Sequence, residues 1–175
     1  QRQMCIRDSS KAFWVIAEGR GLSEENRERC GLKFVSKAED WEVGTVFVLE
    51  SNIYEVFINA ARRLTKDNPE DVRYCFVVDS IDGLMLQDDS EKEINEDNKV
   101  AGVPSLSKKM LQNISLAMFK FGHMMILISQ VTAAIKLDKY EKTPNRGGEF
   151  SGGNSLLHGS DWIFEFQKTT KYDYI

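Results

Sequence analysis

Residues 74–80 read Tyr74-Cys75-Phe76-Val77-Val78-Asp79-Ser80, five apolar positions followed by a carboxylate and a hydroxyl. An unbroken apolar run of this length, closed by polar residues, is the pattern of a strand buried on both faces. A strand buried on both faces belongs to a sheet covered by helices on either side. The same pattern recurs outward from this segment. Residues 11–18 (KAFWVIAE), 45–49 (TVFVL), 124–129 (MMILIS) and 162–166 (WIFEF) read as further strands.

Helical signals fall between them. Ser23 caps a helix with Glu24 and Glu25 in its first turn, where the helix dipole favours acids, and Gly31 is placed to end it. Ile53, Val56, Phe57, Ala60, Ala61 and Leu64 recur at helical spacing, and Asn68-Pro69 closes that element. Pro104-Ser105 opens a long amphipathic helix with Leu106, Met110, Ile114, Met118 and Phe121 on its core face, stopped by Gly122. Two polar stretches, 87–102 and 132–154, read as loops. The second carries glycines at 147, 148, 152 and 153. Strands alternating with helices predict an α/β fold with a mostly parallel sheet flanked by helices.

Composition sets the outer limits. The 175 residues carry 23 Lys+Arg against 27 Asp+Glu, a net charge of -4, with 42% hydrophobic and 29% charged residues. These values suit one globular domain and argue against disorder. The negative balance excludes attachment to nucleic acid by bulk charge and leaves room for a local basic patch. No apolar run approaches the ~18 residues of a membrane-spanning helix. Cys5, Cys30 and Cys75 lack metal-ligand spacing and are odd in number, which predicts a reducing, cytoplasmic setting over a disulfide framework. His123 and His158 read as structural. Trp14, Trp41 and Trp162 read as core or interface residues.

In parallel sheets ligands bind beyond the carboxyl ends of the strands. That rule selects Glu18, Asp79 with Ser80, and Gln130, each a polar group directly after an apolar run. An aspartate at such a strand end suits Mg²⁺, which is hard and prefers oxygen, although a strand-end Asp serves equally well as a turn former. A glutamate there can polarise an attacking water. A glutamine there can bond a phosphate oxygen or that water.

Taken in order, VIAEGRGLSEENRERCGL, FVVDSIDGLM, ILISQV and GGEFSGGNSLLHGSDWIFEF resemble the core of RecA-like recombinases, of the bacterial RecA and phage UvsX type, from residue 11 to about residue 166. The resemblance implies a RecA-like P-loop ATPase core that uses ATP and Mg²⁺. It implies roles for Glu18 as the water-activating glutamate, for Asp79 as the Walker B residue holding Mg²⁺ through water with Ser80 beside it, and for Gln130 as the γ-phosphate sensor. It places a first DNA loop at 87–103 and a second at 132–153, closed by Gly152-Gly153-Asn154. Lys136, Lys139, Lys142, Arg146 and Phe150 are then the candidates for backbone and stacking contacts to DNA. The implied partners are single-stranded DNA, a homologous duplex, and further copies of the chain in a helical filament. No membrane is involved.

The chain also departs from the family. It contains no G-x-x-x-x-G-K-[ST]. Counting back from Glu18 to where the family carries that loop runs past residue 1. Residues 1–9 (QRQMCIRDS) resemble translated sequencing-adapter read-through and read as non-native. The expectation is a partial core over residues 10–175, with the phosphate-loop strand and the C-terminal part absent. Rival readings are another RecA-superfamily ATPase, such as a helicase or clock-type ATPase, and a non-catalytic paralogue that regulates a filament.

Overall fold

The computed structural model describes residues 10–19, 21–68, 71–91, 102–132, 149–150 and 154–166. Five strands form one parallel sheet: β1 (Ser10–Ile16), β2 (Lys33–Val35), β3 (Thr45–Glu50), β4 (Arg73–Asp79) and β5 (Met124–Leu127), in the order β2-β3-β1-β4-β5. The helices are α1 (Glu24–Cys30), α2 (Tyr54–Asp67), α3 (Gln87–Ser90), α4 (Gly102–Phe121) and α5 (Asn154–Gly159). A short antiparallel pair, β6 (Val131–Thr132) with β7 (Glu149–Phe150), stands apart from the main sheet. The α/β class and the parallel sheet flanked by helices are as the sequence predicts. No helix among the described residues is long and apolar enough to cross a membrane.

Alternation along the strands sorts the core into two faces. Phe13, Val15, Tyr74, Phe76 and Val78 point to one side and pack with Tyr54, Phe57 and Ala61 of α2 and Met110 and Ile114 of α4. All ten are at most 5% exposed, so this is the principal core. Each buried Val, Ile, Phe and Met among them contributes about 1.5–3 kcal/mol. Ala12, Trp14, Ile16, Val46 and Cys75 face the other way in a smaller cluster with Leu32 and Phe34. Inside the main core the Tyr54 hydroxyl and the Ser107 hydroxyl lie 2.7 Å apart, so burying two polar groups between α2 and α4 carries its own hydrogen bond.

Helix ends follow their local chemistry. The Ser23 side chain accepts from the Asn26 backbone N–H at the start of α1. At the end of α4, Gly122 takes φ 66° and donates to Phe119 O, while His123 donates to Met118 O. This is the Schellman arrangement, and its left-handed residue favours glycine. His123 is thereby turned inward. It is 9% exposed, and its Nδ1 accepts the Tyr74 backbone N–H at 3.1 Å, in keeping with a structural role. His158 is exposed.

Three expectations need correction. The segment 162–166 is not a strand: its residues are irregular and exposed, Trp162 by 80% and Phe166 by 95%. A strand exists only through its ladder partners, and no described strand pairs with this segment. The fifth strand is instead Lys33–Val35, too short to show alternation in the sequence. Trp162 therefore lies outside the core, unlike Trp14 and the half-buried Trp41, whose Nε1 donates to Ala12 O. The stretch 87–102 is not loop throughout, because α3 occupies Gln87–Ser90 and α4 begins at Gly102. The stretch 132–154 likewise carries the β6–β7 pair and the start of α5 at its two ends. Residues 1–9 lie outside the described residues, as do 92–101 and 133–148 of the two expected DNA loops.

Candidate functional site

The sheet order places a switch of direction between β1 and β4. The chain leaves β1 through α1 toward the β2 edge, over the face of the smaller cluster: Arg27 of α1 lies over the Phe34 ring, which packs on Trp14. It leaves β4 through α4 toward the β5 edge, over the opposite face. Connections that diverge in this way leave a crevice outside the carboxyl ends of the two strands, the usual ligand position in open α/β sheets.

Backbone hydrogen bonds carry the alignment past the strand ends. Ala17 N–H donates to Asp79 O at 2.9 Å, Ile128 N–H to Val78 O at 3.0 Å, and Ile81 N–H to Ile128 O at 2.9 Å. The registers pair Ile16 with Asp79 and Val78 with Leu127. Extended along the same ladders, they bring Glu18 and Gln130 level with one residue, Ile81. Three strand ends far apart in the chain thus present their polar groups at one height.

The side chains meet there. The Ser80 hydroxyl donates to Glu18 Oε1, and Gln130 Nε2 donates to the same oxygen at 3.3 Å. No described residue bonds Oε2, and Glu18 is exposed. The carboxylate is therefore oriented by two donors on one oxygen while the other remains available to a ligand or a water. Ser80 is 2% exposed, so its hydroxyl is a fixed donor. Asp79 is half-buried at the last position of β4, and the Asp79–Ser80 peptide bond is cis.

Of the sequence-predicted residues, Glu18, Ser80 and Gln130 are joined by hydrogen bonds and Asp79 is adjacent in the chain. Lys136, Lys139, Lys142, Arg146, Gly152 and Gly153 lie outside the described residues. Phe150 is in β7, where its backbone pairs with Val131, and Asn154 is the first residue of α5.

Two residues of the site were not among the sequence candidates. Asp82 Oδ2 accepts the Gln130 backbone N–H at 2.8 Å. Gly83 lies so close to β1 that an added Cβ would sit 2.7 Å from Glu18 Cγ and 3.1 Å from the Ala17 carbonyl carbon. The available signal was the Asp-Gly pair directly after a strand, which marks a turn.

The donors at this cluster are all oxygen and amide. Asp79, the residue before Ser80, offers a hard oxygen, a donor type that suits Mg²⁺ bound through one carboxylate and water. No group of three or more His, Cys, Asp or Glu side chains among the described residues is placed to hold a metal alone. An open groove of about 540 Å³, lined by Arg27, Phe34, Phe47, Leu49 and Glu50 among others, shares no residue with the cluster. The chemistry argues for the strand-end cluster over that groove, because only the cluster converges several polar groups on one point. No family model matches the chain, and no curated protein matches it.

Proposed function

We propose that these residues are part of an ATP-dependent DNA recombinase of the RecA type, which binds single-stranded DNA and promotes homologous pairing and strand exchange. The observation that carries this reading is the shared oxygen of Glu18. A carboxylate, a hydroxyl and an amide from three strand ends meet at the switch of a parallel sheet, an arrangement that can orient a carboxylate toward a water beside a bound nucleotide. Under this reading Glu18 accepts the proton of an attacking water. Asp79, with Ser80 beside it, holds Mg²⁺ through water, and the metal neutralises phosphate charge. Gln130 reads the terminal phosphate. The 175 residues hold no glycine-rich phosphate loop with a lysine, and under this reading the phosphate cradle is not among them.

Gln130 also supports the DNA half of the reading. It directly precedes β6, and β6 pairs with β7 at the base of the segment carrying Lys136, Lys139, Lys142 and Arg146. One residue thus touches the glutamate and abuts the candidate DNA element. A change at the nucleotide has a short covalent route to the loop. Coupling of this kind is reciprocal in binding free energy and typically worth ~1–3 kcal/mol.

The test is Gln130→Ala in the full-length gene product, with single-strand affinity measured with and without a non-hydrolysable ATP analogue. Salt is held constant because phosphate contacts depend on it. The variant is expected to keep weak DNA binding and basal ATP binding. It is expected to lose the ATP-dependent gain in DNA affinity and DNA-stimulated hydrolysis. A full gain in the variant removes the recombinase reading. DNA binding without any turnover in the wild type favours the non-catalytic paralogue.

A further inference from the structure

The turn at 80–83 touches both neighbouring strand ends with every one of its residues. Ser80 donates to the Glu18 carboxylate, and Gly83 lies so close to β1 that an added Cβ would meet Glu18 Cγ and the Ala17 backbone. Ile81 N–H donates to Ile128 O, and Asp82 accepts the Gln130 N–H. The first and last residues face β1 and the middle two face the end of β5. Ile81 is 2% exposed and belongs to the main core, so the turn is anchored from below.

We infer that this turn is a clamp that sets the separation of Glu18 and Gln130, and that Asp82 is a positioning residue acting through the Gln130 backbone. Gln130 lies beyond the last ladder residue of β5, Leu127, so β5 itself does not hold it. Between Ile128, whose carbonyl accepts the Ile81 N–H, and the start of β6 at Val131, the bond from the Gln130 N–H to Asp82 ties the backbone of Gln130 to the turn, and with it the reach of its side chain to Glu18. A carboxylate acceptor makes this a charge-assisted bond, stronger than one to a neutral oxygen. Gly83 completes the clamp on the other side, since any side chain there would push on Glu18. The inference rests on the reading of Glu18 and Gln130 as the working pair, and its test separates the two.

Hydrogen exchange of the full-length gene product, followed in a peptide covering residues 128–132, reads the clamp without reference to activity. Asp82→Ala is expected to speed exchange at the Gln130 amide about tenfold. Asp82→Asn, whose amide oxygen still accepts, is expected to stay within about threefold of wild type. ATP turnover then reads the consequence. Asp82→Ala is expected to lower kcat about tenfold with KM within about twofold, and Asp82→Asn to restore most of the loss. If Asp82→Ala fails to fold, Asp82→Glu keeps the charge, moves the acceptor by one methylene, and is expected to show a smaller loss in the same direction. Unchanged exchange at Gln130 in Asp82→Ala overturns the clamp. Faster exchange with unchanged kcat overturns the positioning role. A wild type without turnover removes the ATPase reading alone, and the exchange rate still decides the clamp.

Discussion

Gln130 Nε2 lies 3.3 Å from Glu18 Oε1, across 112 positions of sequence, and the oxygen it reaches is the one that Ser80 also bonds. Neither β1 nor β5 touches the other, because β4 runs between them. The contact exists only because both chains overshoot their strands and lean over the end of β4. Function is therefore expected to be sensitive to groups that shape this overshoot as well as to the two residues themselves.

Glu18→Gln, in the full-length gene product, is expected to lower ATP hydrolysis by ~10²-fold or more while leaving ATP binding in place. The amide keeps an oxygen for Ser80 and Gln130 but cannot take a proton from water. Asp79→Asn is expected to weaken Mg²⁺-dependent nucleotide binding as well. Turnover of Glu18→Gln within about threefold of wild type, well short of a general base's contribution, would falsify the assignment.

The 175-residue chain by itself is expected to show no ATP turnover above a Glu18→Gln control. Phosphoryl transfer depends on positioning and charge neutralisation, and these residues hold no lysine-bearing phosphate loop. Steady hydrolysis by the purified chain would contradict this.

Gly83→Ala tests the tightest contact of the site. The added methyl would meet Glu18 Cγ at 2.7 Å and the Ala17 backbone at 3.1 Å. The side chain can swing aside but the backbone cannot, so a cost of about 1–3 kcal/mol is expected in urea unfolding. Turnover of the full-length gene product is expected to fall with it. An unfolding midpoint equal to wild type would show that the turn yields freely.

His123 makes stability depend on pH. Burial pushes its pKa below the ordinary value, and the Thr65 backbone opposes this in part. Its Nδ1 must stay unprotonated to accept the Tyr74 N–H. The unfolded chain binds the proton more readily, so this contribution is complete above about pH 6.5 and is lost as pH falls below that value toward the folded pKa. Denaturant midpoints are expected to drop between pH 7.5 and pH 5.5. In His123→Phe the Tyr74 N–H loses its acceptor, so stability is expected to be about 1–3 kcal/mol lower at pH 7.5, with a flatter slope. An equal slope in the variant would rule His123 out as the source.

Much of this protein follows from the order of its residues alone. The apolar runs before Glu18, Asp79 and Gln130, and the 3.6-residue spacing of Phe57, Ala61 and Leu64, are local patterns that favour strand and helix, and here both form. Parallel strands need helical crossovers, so the class of the sheet and the end at which its polar groups collect were legible as well. What tertiary structure alone decided is which local patterns found partners. WIFEF at 162–166 has the composition of a strand, but pairing is a long-range property and no described strand lies beside it. Lys33–Val35, with too few residues to show a period, became a strand because β3 offered its edge. Asp82 and Gly83 belong to the site for the same reason: their roles come from the Gln130 amide and the Glu18 side chain, which reach them only through the register of β1 and β5 against β4.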